Sequence, residues 1–331
     1  MSKNSSLAMR TEPLANGPVL EPETQDFVTS IQGLPPITTL TPEGARNLIL
    51  NAQKSVAVSL PDVVSEDRVL KIGPTGRTNI RVIRPAEAKG TLPAVVYIHG
   101  GGWVFGDKET HDRLIREIAV GANAVIVFVD YERSPESRFP IAVEQSYAVT
   151  DYVAKHAAEF GIDPTRLAIA GDSVGGNMTA VVAIMAKERN GPAIAAQLLF
   201  YPVTDASMST DSYDEFADGP WLTKKAMAFF WERYLPEASK REDVHASPLN
   251  APLDALRGLP RTLLLVDEND VLRDEGEAYG RKLTEAGVSV TSLRYNGTIH
   301  DFMMLNALAG TPAVRAAVGV ANGYLRNVFA H

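Results

Sequence analysis

The 331-residue sequence contains no cysteine. Disulfide bonds, cysteine-ligated zinc, iron–sulfur clusters and thiol nucleophiles are therefore excluded, which fits a reducing compartment. The sequence also lacks any run of about 18 apolar residues long enough to span a bilayer. Its start, Met1 to Pro18, is polar and has no apolar core of a signal peptide. These absences predict a cytoplasmic protein without stable membrane insertion.

The sequence also has no surplus of basic residues. Lys and Arg number 32 against 40 Asp and Glu, which gives a formal net charge of -8, and no Lys/Arg-rich run occurs. A surface that neutralises phosphates is not expected, so nucleic acid is excluded as a partner. Apolar residues make up 45% of the chain, enough to bury a substantial core. We expect a globular protein with a small-molecule partner. The composition does not decide whether the protein forms a homo-oligomer.

From about Arg81 onward, short apolar runs alternate with longer amphipathic ones. Several of the short runs consist almost entirely of Val, Ile, Leu and Ala, as strands buried on both faces require. This alternation predicts an α/β fold with a mostly parallel sheet covered by helices on both faces. The predicted strands are Ile80–Ile83, Ala94–Ile98, Ala124–Val129, Leu167–Ala170, Gln197–Tyr201, Thr262–Val266 and Val288–Tyr295. The predicted helices cover residues 109–120, 141–160, 176–189, 273–286 and 312–328.

Two segments interrupt this alternation. Residues 1–60 are punctuated by proline and contain two short helical patterns, which we interpret as N-terminal cap helices. Residues 205–245 fall in a gap too long for a simple connection, so we expect an inserted helical cap or lid there. Seven aromatic residues lie within positions 213–234, and they either form the apolar underside of this cap or simply hold it to the body. Residues 61–204 and 246–331 then form the main domain.

The predicted strand Leu167–Ala170 leads into Gly171-Asp172-Ser173-Val174-Gly175, and a helical pattern follows. A serine on a tight turn between a strand and a helix is exposed at the end of the sheet, and small neighbours allow the strained backbone. The positive end of the following helix favours negative charge at this point. Ser173 is therefore predicted to be a nucleophile, the alternative being an ordinary glycine-rich turn.

A second glycine-rich segment, His99 to Trp103, follows the predicted strand that ends at Ile98. Its three consecutive glycines leave backbone N–H groups accessible, and such groups can stabilise the oxyanion of a tetrahedral intermediate. A phosphate cradle is not supported, because Asp107 stands where a P-loop requires lysine. We interpret this segment as an oxyanion loop rather than as a flexible turn.

A serine nucleophile requires a general base, and His300 is the best candidate among the six histidines. It lies just after the last predicted strand, where the base is expected when the chain order is nucleophile, acid, histidine. His111 and His156 fall on predicted helices and are expected to be solvated. His99 belongs to the oxyanion loop, where we expect it to brace the turn.

The base in turn needs a carboxylate that orients the imidazole. Three candidates follow the predicted strand Thr262–Val266: Asp267 is the first residue past it, and Asp270 lies further along the loop. Asp274 fits the first turn of the next helix, where a carboxylate favours the helix dipole. Spacing favours Asp270 but leaves Asp267 open.

Together these motifs resemble the hormone-sensitive-lipase-like branch of the α/β-hydrolase fold, the bacterial family IV esterases. The resemblance spans roughly residues 60–305 and is carried by three ordered motifs. These are the oxyanion segment His99–Trp103, the intervening block Asp130–Glu136 with Phe139-Pro140, and the nucleophile segment Gly171–Gly176.

The resemblance implies a serine esterase with a two-part helical cap and no metal or organic cofactor. It implies Ser173 as nucleophile, His300 as base and Asp270 as orienting acid, since Asp270–Glu275 is similar to the family's Asp-Pro-Leu-Arg-Asp-Glu block. The oxyanion donors it implies are the backbone N–H groups of Gly101, Gly102 and Val174. Candidate substrate-binding residues are Trp103, Asp172 and Trp221.

Three positions depart from the family pattern. Val174 stands where alanine is usual, Val271 where proline is usual, and Asp301 where glycine commonly follows the histidine. Val174 is expected to narrow the space beside the nucleophile, and Asp301 to raise the pKa of His300 if the two lie close together.

The expected function is hydrolysis of short- to medium-chain carboxylic esters. The reaction is expected to pass through an acyl-enzyme that water then hydrolyses. An amidase, a thioesterase or a lactone hydrolase would use the same three residues, because a fold does not fix a function. A noncatalytic ligand-binding protein on this fold is the remaining alternative.

Overall fold

The computed structural model describes residues 17–330, in which eight strands form a single sheet in the order β1-β2-β4-β3-β5-β6-β7-β8. The strands are β1 (Val63–Leu70), β2 (Thr78–Pro85), β3 (Leu92–Ile98), β4 (Val125–Asp130), β5 (Ile162–Asp172), β6 (Ala196–Phe200), β7 (Arg261–Asn269) and β8 (Val290–Ile299). β2 pairs with both β1 and β4 in antiparallel fashion. All other pairs are parallel, so β3, β5, β6, β7 and β8 end at the same edge of the sheet.

Helices flank this sheet in the alternating order that the sequence predicts. They are α1 (Pro22–Ser30), α2 (Pro42–Lys54), α3 (Asp112–Ala122), α4 (Ile141–Lys155), α5 (Ala157–Phe160), α6 (Val174–Glu188), α7 (Asp211–Glu215), α8 (Lys224–Tyr234), α9 (Leu253–Leu256), α10 (Arg273–Glu285) and α11 (Pro312–Phe329). Short 3-10 turns lie at Ile37–Thr39, Ala238–Lys240, Pro248–Asn250 and Asn306–Leu308. The predicted α/β fold with a mostly parallel sheet is confirmed.

The core consists of two apolar layers on opposite faces of the sheet. Successive side chains of a strand point to opposite faces, and β3 shows this directly: Val96 and Ile98 join one layer, whereas Val95 and Tyr97 join the other. The first layer includes the buried faces of α4, α6, α10 and α8. The second includes those of α3 and α11. Every residue of β3 is buried, which explains its continuous apolar sequence.

The structure differs from the sequence prediction at several elements. β5 begins at Ile162 rather than at Leu167, and β8 ends at Ile299 rather than at Tyr295. β1 was not predicted, because it is an edge strand whose side chains mostly face solvent and whose sequence carries Glu, Asp and Arg. The helix predicted over residues 141–160 is divided into α4 and α5, since His156 between them leaves the helical conformation with φ −116° and ψ 33°. β7 continues beyond Val266 to Asn269, because Asn269 still pairs with Ile299 of β8.

The two expected cap segments contact each other. The predicted N-terminal segment 1–60 includes residues 1–16, which lie outside the described residues, and its described part contains α1 and α2. Phe27 of α1 lies 5.3 Å from Trp221 of the insertion, measured between ring centroids. Within the insertion, α8 is capped by Thr223, which accepts a hydrogen bond from the backbone of Ala226. The division into cap and main domain remains a prediction.

Among residues 17–330, no helix combines the length and the apolar character needed to cross a membrane.

Candidate active site

Ser173 lies between the end of β5 and the start of α6, in a strained backbone conformation with φ 56° and ψ −120°. Conformations of this kind cost about 1–3 kcal/mol and persist only where the surroundings hold them. Here the backbone N–H of Ser173 donates to Phe200 at 2.9 Å, and its carbonyl accepts from Val203 at 3.2 Å. Only glycine fits at position 175, since a Cβ at Gly175 would overlap the carbonyl oxygen of Ile98. The turn therefore holds Ser173 at the carboxyl edge of the sheet.

His300 connects Ser173 to Asp270 through two hydrogen bonds. Its Nε2 lies 2.9 Å from the Ser173 Oγ, and its Nδ1 lies 2.7 Å from the Asp270 Oδ2. The other oxygen of Asp270 accepts from the backbone of Leu272 at 3.1 Å, which fixes the carboxylate. Ser173, His300 and Asp270 are all at least 96% buried by accessible surface. The structure thus brings together the three residues that the sequence singles out.

The two other carboxylate candidates lie elsewhere. Asp274 binds Arg273 and the backbone of Ser212, away from His300. Asp267 lies inside β7 rather than past its end, and its Oδ2 is 4.0 Å from the His300 Nδ1, beyond hydrogen-bond distance. Burial, with the nearby charge of Asp270, raises the pKa of Asp267 well above its ordinary value. Asp270, and not Asp267, is therefore the carboxylate that forms a hydrogen bond with the imidazole.

The electrostatic surroundings of His300 favour its protonated form. Burial disfavours the imidazolium, but the charges of Asp270 and Asp301 and the hydrogen bond to Asp270 outweigh it. Together these effects raise the pKa of His300 to about 9. The Asp301 Oδ1 lies 3.5 Å from Nε2, so the residue that departs from the family pattern does lie beside the imidazole.

The oxyanion loop runs from the end of β3 with its glycines in left-handed conformations, φ 107° at Gly101 and φ 62° at Gly102. Within the described part of the chain, the N–H groups of Gly101, Gly102 and Val174 donate no hydrogen bond to a protein acceptor. Val174 is the first residue of α6, where an N–H group has no partner inside the helix. All three donors are therefore free to bind an oxygen atom from another molecule.

His99 braces this loop, as the sequence predicts. Its ring stacks on Tyr131 with centroids 4.1 Å apart, and the Tyr131 hydroxyl donates to the His99 carbonyl at 3.0 Å. Burial, together with the neighbouring His111, lowers the pKa of His99 to about 3. A neutral, stacked imidazole of this kind is a structural support.

Asp172 joins the nucleophile turn to the oxyanion loop rather than facing open space. Its Oδ1 accepts from the Tyr97 hydroxyl at 2.8 Å and from the Gly100 N–H at 3.1 Å. Its Oδ2 lies 3.2 Å from the Nε2 of His111. The prediction that His111 is solvated was wrong: its side chain is fully buried at the start of α3. The sequence around His111 gives no sign of a buried partner that lies 61 positions away.

The other two candidate substrate-binding residues belong to contacts between the body and the cap. Trp103 is fully buried and stacks on Tyr234 with centroids 4.1 Å apart, next to Trp231. The Nε1 of Trp221 donates to the Asp301 Oδ2 at 3.0 Å. Both tryptophans therefore connect the cap to loops beside the site, and a direct contact with substrate remains a prediction.

Sequence reasoning missed two residues of α2 that position these loops. Arg46 donates to the carbonyl of Val104 at 2.8 Å, beside the oxyanion loop. Gln53, which is 97% buried, donates to the carbonyl of Met304 at 2.9 Å, in the loop that carries His300. The local sequence of α2 gives no signal of these partners, which lie 58 and 251 positions away.

Comparison with known proteins finds relatives that cover most of the chain. A family model described as α/β-hydrolase fold matches residues 95–304. The carboxylesterase NlhH of Mycobacterium tuberculosis is 37% identical over 314 residues, which cover 93% of this chain and 96% of that protein. A thermostable esterase from Pseudomonas putida ECU1011 is 49% identical with a TM-score of 0.93, over 95% of this chain and 99% of that one. A fungal esterase from Rhizomucor miehei is 39% identical with a TM-score of 0.89, over 94% and 97%.

The chain belongs to the α/β-hydrolase fold family, in its hormone-sensitive-lipase-like branch. Within that family it is a carboxylic ester hydrolase.

Proposed function

We propose that the enzyme is a serine carboxylesterase that hydrolyses short- to medium-chain esters, with Ser173 as nucleophile, His300 as general base and Asp270 as orienting acid. One observation carries this proposal: an unbroken path of hydrogen bonds joins the Ser173 Oγ to His300 at 2.9 Å and His300 to Asp270 at 2.7 Å. These distances suit proton transfer between a nucleophile and its base.

In the acylation step, His300 accepts the Ser173 proton at Nε2 while Oγ attacks the ester carbonyl carbon. Asp270 keeps the other ring nitrogen protonated and offsets the charge of the imidazolium. The carbonyl oxygen becomes an oxyanion that the N–H groups of Gly101, Gly102 and Val174 receive. Each such donor is worth about 3 kcal/mol in comparable sites. As the bond between the acyl carbon and the alcohol oxygen breaks, His300 gives its proton to the departing alcohol.

In the deacylation step, water takes the place of the alcohol. His300 removes a proton from the water as its oxygen attacks the acyl carbon, and the same N–H groups receive the second oxyanion. The bond to the Ser173 Oγ then breaks, His300 returns the proton to Oγ, and the carboxylic acid leaves. These steps need no metal ion and no organic cofactor.

The contact between the cap and the loops beside Ser173 supports the preference for short to medium acyl chains. Ser173 exposes 4% of its surface and His300 3%, so solvent reaches little of either side chain. The ring of Phe230, on α8 of the cap, lies directly against Gly102 of the oxyanion loop. A long acyl chain would have to displace this ring and the helix that carries it, whereas a short one requires a smaller movement.

The experiment that tests this function compares two serine variants on p-nitrophenyl esters of increasing acyl length. Ser173→Ala should lower kcat by about 10⁴-fold or more, because no other group near His300 can replace the nucleophile. Ser146→Ala is the matched control: Ser146 is equally buried, but its hydroxyl only donates to the Ala142 carbonyl of its own helix. This control should keep the parental kcat.

Retention of turnover by pure, folded Ser173→Ala protein would exclude Ser173 as nucleophile. A rate maximum at short or medium acyl length in the parent enzyme is the expected result. A maximum at long acyl length would contradict the role given to the Phe230 contact.

A further inference from the structure

Asp301 is a buried carboxylate that contacts both the base and the cap. It directly follows His300, and its backbone is left-handed, with φ 67°. One oxygen, Oδ1, lies 3.5 Å from the His300 Nε2 and has no hydrogen-bond partner within residues 17–330. The other oxygen, Oδ2, accepts the indole N–H of Trp221 at 3.0 Å. The carboxylate therefore faces the same ring nitrogen that receives the Ser173 proton.

Trp221 belongs to the insertion, in the segment between α7 and α8. Its ring also contacts Phe27 of α1, with centroids 5.3 Å apart. Both parts of the cap thus meet at this indole, and the hydrogen bond to Asp301 links them to the loop of the base. A movement of the cap that carries Trp221 away must break this hydrogen bond.

We propose that Asp301 is a positioning residue that acts on His300 from the Nε2 side, and that Trp221 holds its carboxylate there while the cap is closed. This inference rests on the proposed function, because it takes His300 as the base. Asp270 already orients the ring from Nδ1, so Asp301 is not needed for the tautomer. Asp301 instead affects whether the imidazole of His300 is neutral or protonated, and this effect depends on whether the cap is closed.

Several charged or titratable groups surround the two residues. Besides Asp301, the groups that face His300 are Asp267 of β7, Asp270 of the following loop, Asp172 at the end of β5 and Tyr201 after β6. Asp301 itself is faced by His300, Trp221, Asp172 and His111. Burial raises the pKa of Asp301 above its ordinary value, although the His300 charge and the Trp221 hydrogen bond act in the opposite direction. The charged form of Asp301 therefore depends on both of these neighbours.

The sign of the effect follows from these contacts. A carboxylate beside Nε2 favours the imidazolium, and a general base must be neutral to accept a proton. In the closed arrangement, the pKa of His300 is raised to about 9, so the free base forms only as the pH rises towards that value. Removal of the Asp301 charge should lower this pKa. Loss of the Trp221 N–H should act in the same direction, because Asp301 then keeps its proton to higher pH.

The test is the pH dependence of kcat/KM in Asp301 variants. Asp301→Asn keeps the size of the side chain and an oxygen that can accept from Trp221, but it removes the charge. We expect the midpoint of the acidic limb to fall by about one unit or more, the shift that a charge at this distance produces. Asp301→Gly is the second variant, because glycine adopts a φ of 67° without strain and should fold. An unchanged midpoint in both variants would overturn the proposal.

The link to the cap is tested by Trp221→Phe, made in the parent and in the Asp301→Asn background. Trp221→Phe should lower the midpoint of the acidic limb of kcat/KM in the parent enzyme. The same substitution should leave that midpoint unchanged in Asp301→Asn. Equal shifts in both backgrounds would refute the coupling. Trp231→Phe is the matched control, because it removes an indole N–H of the same cap that has no hydrogen-bond partner among the described residues. It should leave the midpoint where it is.

An NMR titration of the His300 ring in the same variants separates this inference from the proposed function, since it requires no turnover. A fall in the His300 midpoint in Asp301→Asn supports the positioning role even if Ser173 proves not to be the nucleophile. An unchanged titration overturns that role even if Ser173→Ala is inactive.

Discussion

Asp172→Asn isolates the charge of a fully buried pair. The parent carboxylate makes three contacts: it accepts from Tyr97 and from the N–H of Gly100, and it lies 3.2 Å from the Nε2 of His111. Asparagine keeps the size of the side chain and one oxygen for the first two contacts. The variant therefore loses the charge that faces His111, and an NH₂ group replaces the acceptor Oδ2 at that contact.

The expected loss of stability follows from these three contacts. A hydrogen bond to a charged group contributes about 1.5–3 kcal/mol, and His111 can lower the penalty by giving up its own proton. We expect the free energy of unfolding to fall by about 2 kcal/mol near pH 5.5. Asp151→Asn is the control, because its partner Lys155 is 67% exposed and such solvent-screened pairs contribute little to stability.

The cost should depend on pH in a defined direction. Burial lowers the pKa of His111, but the charge of Asp172 outweighs it and raises that pKa, so this stabilisation is complete below about 6.5 and is lost as pH rises through the folded value. Burial raises the pKa of Asp172, but the His111 charge outweighs it and lowers that pKa, so this stabilisation is present above about 3.9 and is lost on acidification. The pair therefore contributes fully between about pH 4 and 6.5.

Urea unfolding of the parent and both variants at pH 5.5 and in mild alkali measures this dependence. The gap between the parent and Asp172→Asn should narrow at the higher pH. A gap of the same size at both pH values, or a loss no larger than that of Asp151→Asn, would refute the assignment of a buried charged pair.

Two further variants test the site. Gly102→Ala should lower kcat about 100-fold with a smaller change in KM, because a Cβ would overlap the Phe230 ring at a φ of 62° and displace an oxyanion donor worth about 3 kcal/mol. Steady-state ester hydrolysis measures it, and a parental kcat would exclude Gly102 from the oxyanion site. Asp270→Asn should lower kcat by about 10⁴-fold, because His300 loses the carboxylate that fixes its tautomer and Asp267, 4.0 Å away, cannot replace it without moving. A kcat close to that of the parent would contradict the role of Asp270.

The buried parts of the fold could be predicted because their physical signal is local. β3 is apolar throughout and β6 has a single polar residue, Gln197, and each was located from the sequence to within two residues of its observed ends. β1 could not be found in this way, since it is stabilised by pairing with β2 and most of its side chains stay in water. Its central Ser-Glu-Asp-Arg run, flanked by valines, resembles a loop as much as a strand.

The candidate site was predictable for the same reason, but its surroundings were not. The turn around Ser173 and the loop of His300 each carry a short sequence pattern that identifies them. The hydrogen bond between Trp221 and Asp301 joins positions 80 apart in the chain, and the pair of His111 and Asp172 joins positions 61 apart. No local pattern marks such pairs, because they arise only when the sheet places its loops at one edge.

The hydrogen bonds of Gln53 have a consequence for the order of folding. Its side-chain amide binds the carbonyl of Met304, 251 positions further along, and its Oε1 accepts from the backbone of Asn306. Contacts between such distant positions require the entropy of closing a long loop before they return any stabilisation. These contacts therefore form only after the two distant parts of the chain have met, and the loop that carries His300 is held in place by a helix from the other end of the described chain.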